Sequence, residues 1–341
     1  MTATQIFDPS DPAWLAHRYD AATDRLVYRH VPRDRYADGP FLTDELIGSQ
    51  PESLLARSDG VEAARAGAGA VHFLFHSAFC ASTMAVQALD LPGLCMGLSE
   101  PVLLNDITGI RRRGERQGAD LARLLDEALS LLSRRWDDDR AVIIKPSNIL
   151  TALMTPALAL RPDARALLLY APLPTFLASV ARKGLWCRLW ARELLEGLLR
   201  DGLVDLGFEA KDYFRLGDLQ VAAVGWLVQH RQFAALTEHF PDRVRTLDSG
   251  RLLADPATLL AQFLDFAKVA EPQDAYNRLA AHPALTRHSK TGANFSPDAR
   301  GAEQVAARAA HGDEIDKVHE WARAVAVKAG ISMTLPLPLT G

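Results

Sequence analysis

Four short, almost wholly apolar runs recur along the chain: VHFLF at 71–75, RAVIIK at 140–145, ARALLLYA at 164–171 and DRVRTLD at 242–248. A run this short and this apolar, bounded by turn residues, reads as a strand buried on both faces. Helical stretches separate the runs. Residues 115–136 place Leu121, Leu124, Leu125, Leu129 and Leu132 on one face, and a second helix is expected from about Ala257 to Phe266. Strands alternating with helices predict an α/β fold, a mostly parallel central sheet flanked by helices. The 341 residues are 48% hydrophobic, enough to bury the core such a sheet needs.

The segment before the first run reads differently. Residues 1–68 are expected to form an N-terminal appendage packing on an α/β domain of 69–341. Pro and Asp recur early, PESLLARSDGVEAARA follows a helical period, and AGAGA at 66–70 ends it. Charge excludes some partners. With 38 basic and 42 acidic residues the net charge is −4, and there is no basic tail, so neither nucleic acid nor an anionic membrane surface is expected as a partner. Arg111, Arg112 and Arg113, followed by Glu115 and Asp120, read as a solvated helix face. Cys80, Cys95 and Cys187 form no CxxC pair, which suits a reducing compartment. The N-terminus lacks the features of a secretory signal, and the longest apolar stretch, 166–181, is interrupted by Pro172 and Pro174. A cytoplasmic protein is the resulting expectation. Trp186, Trp190, Tyr213 and Phe214 are expected mainly in core packing.

In open α/β sheets, ligands bind beyond the carboxyl ends of the strands. The segment after the first run is His76-Ser77-Ala78-Phe79-Cys80-Ala81-Ser82-Thr83. Small residues let backbone N–H groups approach an anion, and the start of a helix favours negative charge. The segment has the length of GxxxxGK[ST] but keeps only the final hydroxyl pair, with Ser82 where the lysine would stand. The alternative is a plain strand-to-helix turn capped by Ser82 or Thr83.

FLFHSAFCASTM resembles the 5′-phosphosulfate loop of bacterial and protein sulfotransferases. The likeness continues in order through SEP at 99–101, IIKPSN at 143–148, LLLYAPLPTFLASV at 167–180, LDSGRLLADPATLLAQFLDF at 247–266 and TRHSK at 286–290, spanning about residues 70–300. It implies a P-loop nucleoside triphosphate hydrolase-like (sulfotransferase) fold and PAPS (3′-phosphoadenylyl sulfate) as sulfuryl donor. It also implies a small-molecule acceptor with a hydroxyl or amine, and no metal. The donor would lie on Ser77, Ala78, Phe79, Cys80, Ala81, Ser82 and Thr83. Lys145 matches a family lysine at the bridging region of the donor, although Ser147 replaces the catalytic histidine of one subfamily. Ser179 matches a 3′-phosphate serine, and Arg287 and Lys290 match a basic C-terminal loop. Glu100 is the leading candidate for the base, with His76 as its rival. Two positions depart from the pattern: Phe79 and Tyr170 stand where the family carries cations. Two alternatives therefore accompany this reading. One is a catalytically degenerate binding or accessory protein, the other a divergent P-loop phosphotransferase.

Overall fold

The computed structural model describes residues 6–65, 67–136, 138–285 and 297–339. Its N-terminal part is a three-stranded antiparallel sheet in the order β1 (Trp14–Asp20), β2 (Arg25–His30), β3 (Glu52–Ala56). A short helix, α1 (Asp44–Ile47), precedes β3, and α2 (Arg57–Arg65) follows it directly. The helix expected over PESLLARSDGVEAARA is thus a strand in its first third. Pairing of Leu54 with Val27 and Leu55 with Leu26 overrides the local helical period. The first two strands escaped sequence reading because Tyr, His, Arg and Asp interrupt their apolar residues. This sheet packs against the central one. Trp14, Leu15, Leu26 and Tyr28 share one hydrophobic cluster with Phe73, Phe75, Val142 and Ile144 of the central sheet. The buried Arg134 guanidinium donates to the carbonyls of Pro9, Asp11 and Trp14.

The central sheet has five parallel strands: β4 (Ala70–His76), β5 (Cys95–Ser99), β6 (Ala141–Lys145), β7 (Ala166–Tyr170) and β8 (Val244–Asp248). Side chains alternate between two clusters. Phe73, Phe75, Ile144 and Leu168 enter the one shared with the N-terminal sheet, whereas Leu74, Ile143, Leu167 and Leu169 enter the other. Burial on both faces is why these strands read as continuous apolar runs. β5 (CMGLS) was not foreseen, since it is short and carries Gly97. The strand order is β5-β6-β4-β7-β8. The chain therefore enters at the centre with β4, places β5 at one edge, fills the gap between them with β6, then crosses to the other side for β7 and β8. Such a reversal opens a crevice at the carboxyl end of the central strand. Register brings Ser99 opposite Lys145, His76 opposite Leu169 and Tyr170 opposite Asp248, so these residues share one end of the sheet.

Helices cover both faces. α3 (Ser82–Ala88) leaves β4, α4 (Val102–Arg112) leaves β5, and α5 (Gly118–Leu132) and α6 (Met154–Leu160) flank β6. α7 (Leu173–Arg182) and α8 (Gly184–Arg200) follow β7, and beyond them lie α9 (Ala210–Tyr213) and the long α10 (Asp218–His239). After β8 come α11 (Ser249–Ala254), capped by Asp248, and α12 (Pro256–Phe266), capped by Asp255. These two caps give the 247–266 segment its structural meaning. α13 (Pro272–Ala280) and α14 (Pro297–Lys328) follow, and the segment after α14 returns to β8, where Pro338 pairs with Thr246. The arginine run does not form a solvated face. Arg111 and Arg112 both bind the carboxylate of Asp201, whose side chain is wholly buried, and so fasten the end of α4 to the end of α8; only Arg113 turns outward, to Glu115. A buried acid is stable only when paired in this way. No helix among the described residues is long and apolar enough to cross a membrane.

Candidate functional site

Between β4 and α3 the backbone turns through three left-handed residues. Ala78 has φ 66°, Phe79 φ 51° and Ala81 φ 65°. Left-handed backbone costs an L-residue about 1–2 kcal/mol, so a loop that holds three such residues is built for a purpose other than its own stability. Turns of this kind, with left-handed residues between a strand and a helix start, can aim successive N–H groups at an anion. Ser77 anchors the start. Its N–H donates to Leu169 O (3.1 Å), and its Oγ accepts from Ala171 N–H (3.2 Å), which ties the loop to the exit of β7. The Ser77 side chain is therefore used inside the fold. Ser82 and Thr83 open α3, and both are buried, as is Cys80.

His76, Glu100 and Lys145 form a polar corner at the ends of β4, β5 and β6. Lys145 is completely buried, and its ammonium is bonded to Glu100 Oε1. It is not a surface lysine at a strand end. The Glu100 side chain keeps 17% of its surface exposed, so the pair opens to one side. Glu100 is itself left-handed (φ 52°), and its N–H donates to Lys145 O (2.7 Å). His76 Nε2 lies 3.1 Å from Pro146 O, and His76 Nδ1 accepts from Ala78 N–H at 3.1 Å. These two bonds match the neutral Nε2–H form of the ring: Nε2–H donates and Nδ1 accepts. The histidine links the loop to the exit of β6. Its Nε2 is 3.6 Å from Glu100 Oε1.

Two elements of this corner left no signal in the sequence. The segment before α1 closes over it: the Lys145 ammonium lies 5.0 Å above the Phe41 ring, Ser99 Oγ donates to Pro40 O (2.6 Å), and Leu42 N–H donates to Ser99 O (2.8 Å). Nothing in GPFLTD distinguishes those residues from an ordinary loop. Asn148, three residues after Lys145, is buried, and its Nδ2 has no hydrogen-bond partner among the described residues.

The opposite flank is aromatic. Phe79 meets Phe176 of α7 (5.7 Å between centroids) and the edge of Trp190 of α8 (5.3 Å). The Lys183 ammonium, at the carboxyl end of α7, lies 4.9 Å over the Phe79 ring. A cation thus reaches the loop from α7 although position 79 itself carries none. Tyr170 packs against His230 (5.3 Å), which stacks on Trp226 (4.1 Å), whose Nε1–H donates to Ala171 O. Burial holds the His230 imidazole down at about 4. Ser179 Oγ donates back to Thr175 O within α7 (2.9 Å). Trp190 and Tyr213 pack on the core as expected, but Trp186 and Phe214 are 71% and 90% exposed. The structure brings His76, Glu100, Lys145 and loop 77–83 together. Arg287 and Lys290 lie outside the described residues.

No protein-family model matches the chain, and no curated protein does. Several solved structures are similar to it, among them two sulfotransferase domains. One is a sulfotransferase domain from the curacin biosynthetic pathway, with TM-score 0.38 and 16% identity, covering 80% of this chain and 94% of that one. The other is a sulfotransferase domain from the Synechococcus PCC 7002 olefin synthase, with TM-score 0.40 and 15% identity, covering 80% and 91%. The α/β chain described above has these sulfotransferase domains as structural neighbours.

Proposed function

We propose that the protein is a sulfotransferase, moving a sulfuryl group from a PAPS-type donor to a hydroxyl or amine of a small acceptor. One observation carries the reading. A loop of three left-handed residues ends beside a buried lysine–glutamate pair, at the carboxyl end of the central strand. Sulfuryl transfer needs what that combination supplies: an anion cradle, a fixed cation and a carboxylate within reach. The donor supplies the sulfuryl group. The loop amides with Ser82 and Thr83 would hold its phosphosulfate, and Lys145 would counter negative charge on the departing oxygen. Glu100 would take the proton of the acceptor. His76 is better suited to orient the loop than to act as base, because Nδ1 already accepts a hydrogen bond and Nε2 has Pro146 O to donate to. The fit is good at the loop and at Lys145. It is poorer at Phe79 and Tyr170, where the family's cations are replaced by rings, although Lys183 brings one cation to the loop.

That second observation favours one alternative, a sulfotransferase-like protein that binds ligand without turnover. Incubation with sulfur-labelled PAPS and a panel of hydroxyl and amine acceptors separates the two. Labelled acceptor, lost in Glu100→Gln, is the expected result. Donor binding without labelled product for any acceptor would favour the binding protein, and transfer from ATP would replace both with phosphoryl chemistry.

A further inference from the structure

The crevice offers different surroundings to the two ends of a nucleotide donor. In a 5′-phosphosulfate the sulfuryl group, the phosphate and the ribose follow one another in line. A phosphate on loop 77–83 with its sulfuryl group toward Lys145 of β6 therefore sends the ribose to the other side of β4, over the carboxyl ends of β7 and β8. The sulfuryl side has the buried ammonium of Lys145, and a second ammonium, Lys183, lies over the Phe79 ring of the loop. The ribose side is poorly furnished for another phosphate. Tyr170 ends β7 and meets the His230 ring at 5.3 Å. That imidazole, held down at about 4 by burial, is neutral near pH 7 and brings no charge. Asp248 lies opposite Tyr170 in the register of β7 on β8. Burial pushes the Tyr170 phenol up, Asp248 pushes it further, and Arg251 pulls the other way with the smaller effect. The carboxylate thus outweighs the guanidinium at this ring, and a phosphate set beside it would meet like charge. Ser179 Oγ is engaged within α7, donating to Thr175 O. The positions that the resemblance gives to a 3′-phosphate, 170 and 179, therefore hold a neutral ring and an occupied hydroxyl.

We infer that this chain takes its donor by the 5′-phosphosulfate and the nucleoside alone, so that adenosine 5′-phosphosulfate, which has no 3′-phosphate, serves in place of PAPS. The inference deepens the sulfuryl-transfer reading and rests on it. The step breaks the bond between sulfur and the bridging oxygen, forms one from sulfur to the acceptor oxygen or nitrogen, passes the acceptor proton to Glu100 and releases AMP. Isothermal titration of the full chain with AMP and with PAP, the desulfated products of the two donors, tests it. Affinities within about threefold of each other are expected, less than one charge-assisted contact contributes. Lys145→Met should weaken both by the same factor, because it acts on the end they share. Tyr170→Arg should add a preference for PAP of about 10- to 100-fold. PAP bound more than about tenfold tighter than AMP by the parent chain, through Arg287 and Lys290 or through any other group, overturns the inference and leaves the donor reading intact. A folded Tyr170→Arg chain with no preference for PAP also overturns it, since the ribose then does not lie over β7. Binding of neither nucleotide overturns the donor reading, and the inference with it.

Discussion

The two flanks of the crevice are built from opposite materials. On the β5–β6 side lie ionised and hydrogen-bonding groups: Lys145 with Glu100, His76 between Pro146 O and Ala78 N–H, and Asp201 with its two arginines farther along α4. On the β7–α8 side lie rings: Phe79 with Phe176 and Trp190, and Tyr170 with His230 and Trp226. Each polar group is tied to a named partner, so removing one leaves a buried group unmatched. The aromatic flank is held by area and shape, and it should yield in smaller steps. On the sulfuryl-transfer reading proposed above, chemistry would fall to the first flank and recognition to the second.

The largest effect should come from the polar side. Asp201→Ala strands two arginines beside an empty site and is expected to cost about 3–5 kcal/mol of stability, measured by urea unfolding. A loss under about 1 kcal/mol would mean that the clamp is ornamental. The aromatic side also contains a buried imidazole. His230 is held at about 4 against an ordinary 6.5. A depressed folded-state value leaves stability complete above the unfolded value of 6.5, then erodes it as pH falls toward 4. Between pH 7 and pH 4 this one histidine should account for about 3 kcal/mol. His230→Phe should remove that share of the acid loss, and an unchanged pH slope would show that the ring charges freely. His72, held at about 4 by burial in β4, adds a similar term of its own and serves as the internal comparison.

Smaller effects sharpen the division. Phe79→Leu keeps an apolar side chain but loses two ring contacts, and should cost about 1 kcal/mol in thermal unfolding. A loss above about 3 kcal/mol would make the aromatic flank as brittle as the polar one. The smallest change is Ala81→Gly. Relief of left-handed strain at about 1–2 kcal/mol, less the entropy of glycine at about 0.5–1 kcal/mol, leaves a net gain of about 0.5–1 kcal/mol. Destabilisation instead would mean that the Cβ of Ala81 is needed for packing.

Sequence and structure agree where a single pattern dominates. Central strands buried on both faces show as apolar runs, and four of the five were visible for that reason. β5 was not, because five residues with a central glycine carry too little pattern. The N-terminal sheet was hidden because polar residues interrupt its strands, and His17, Arg18 and Arg29 there meet Asp44, Asp106 and Glu52. At the site, the loop and the candidates Glu100, His76 and Lys145 were legible as strand-end residues. Their pairing was not, since Lys145 and Glu100 are 45 residues apart and meet only through the register of β5 on β6. The left-handed backbone at Ala78, Phe79 and Ala81 carried no mark, because a positive φ is signalled by glycine and not by these residue types. The lid of Pro40, Phe41 and Leu42 carried no mark, because a covering loop depends on where its neighbours fold.

Isothermal titration of PAP into the purified protein tests the central claim most directly, with ATP and Mg²⁺ as the comparison and Lys145→Met as the variant. The account predicts saturable PAP binding, little response to ATP, and an affinity about 10- to 100-fold weaker in Lys145→Met, as expected when one charge-assisted contact is lost. No PAP binding, or binding that Lys145→Met leaves unchanged, would contradict it.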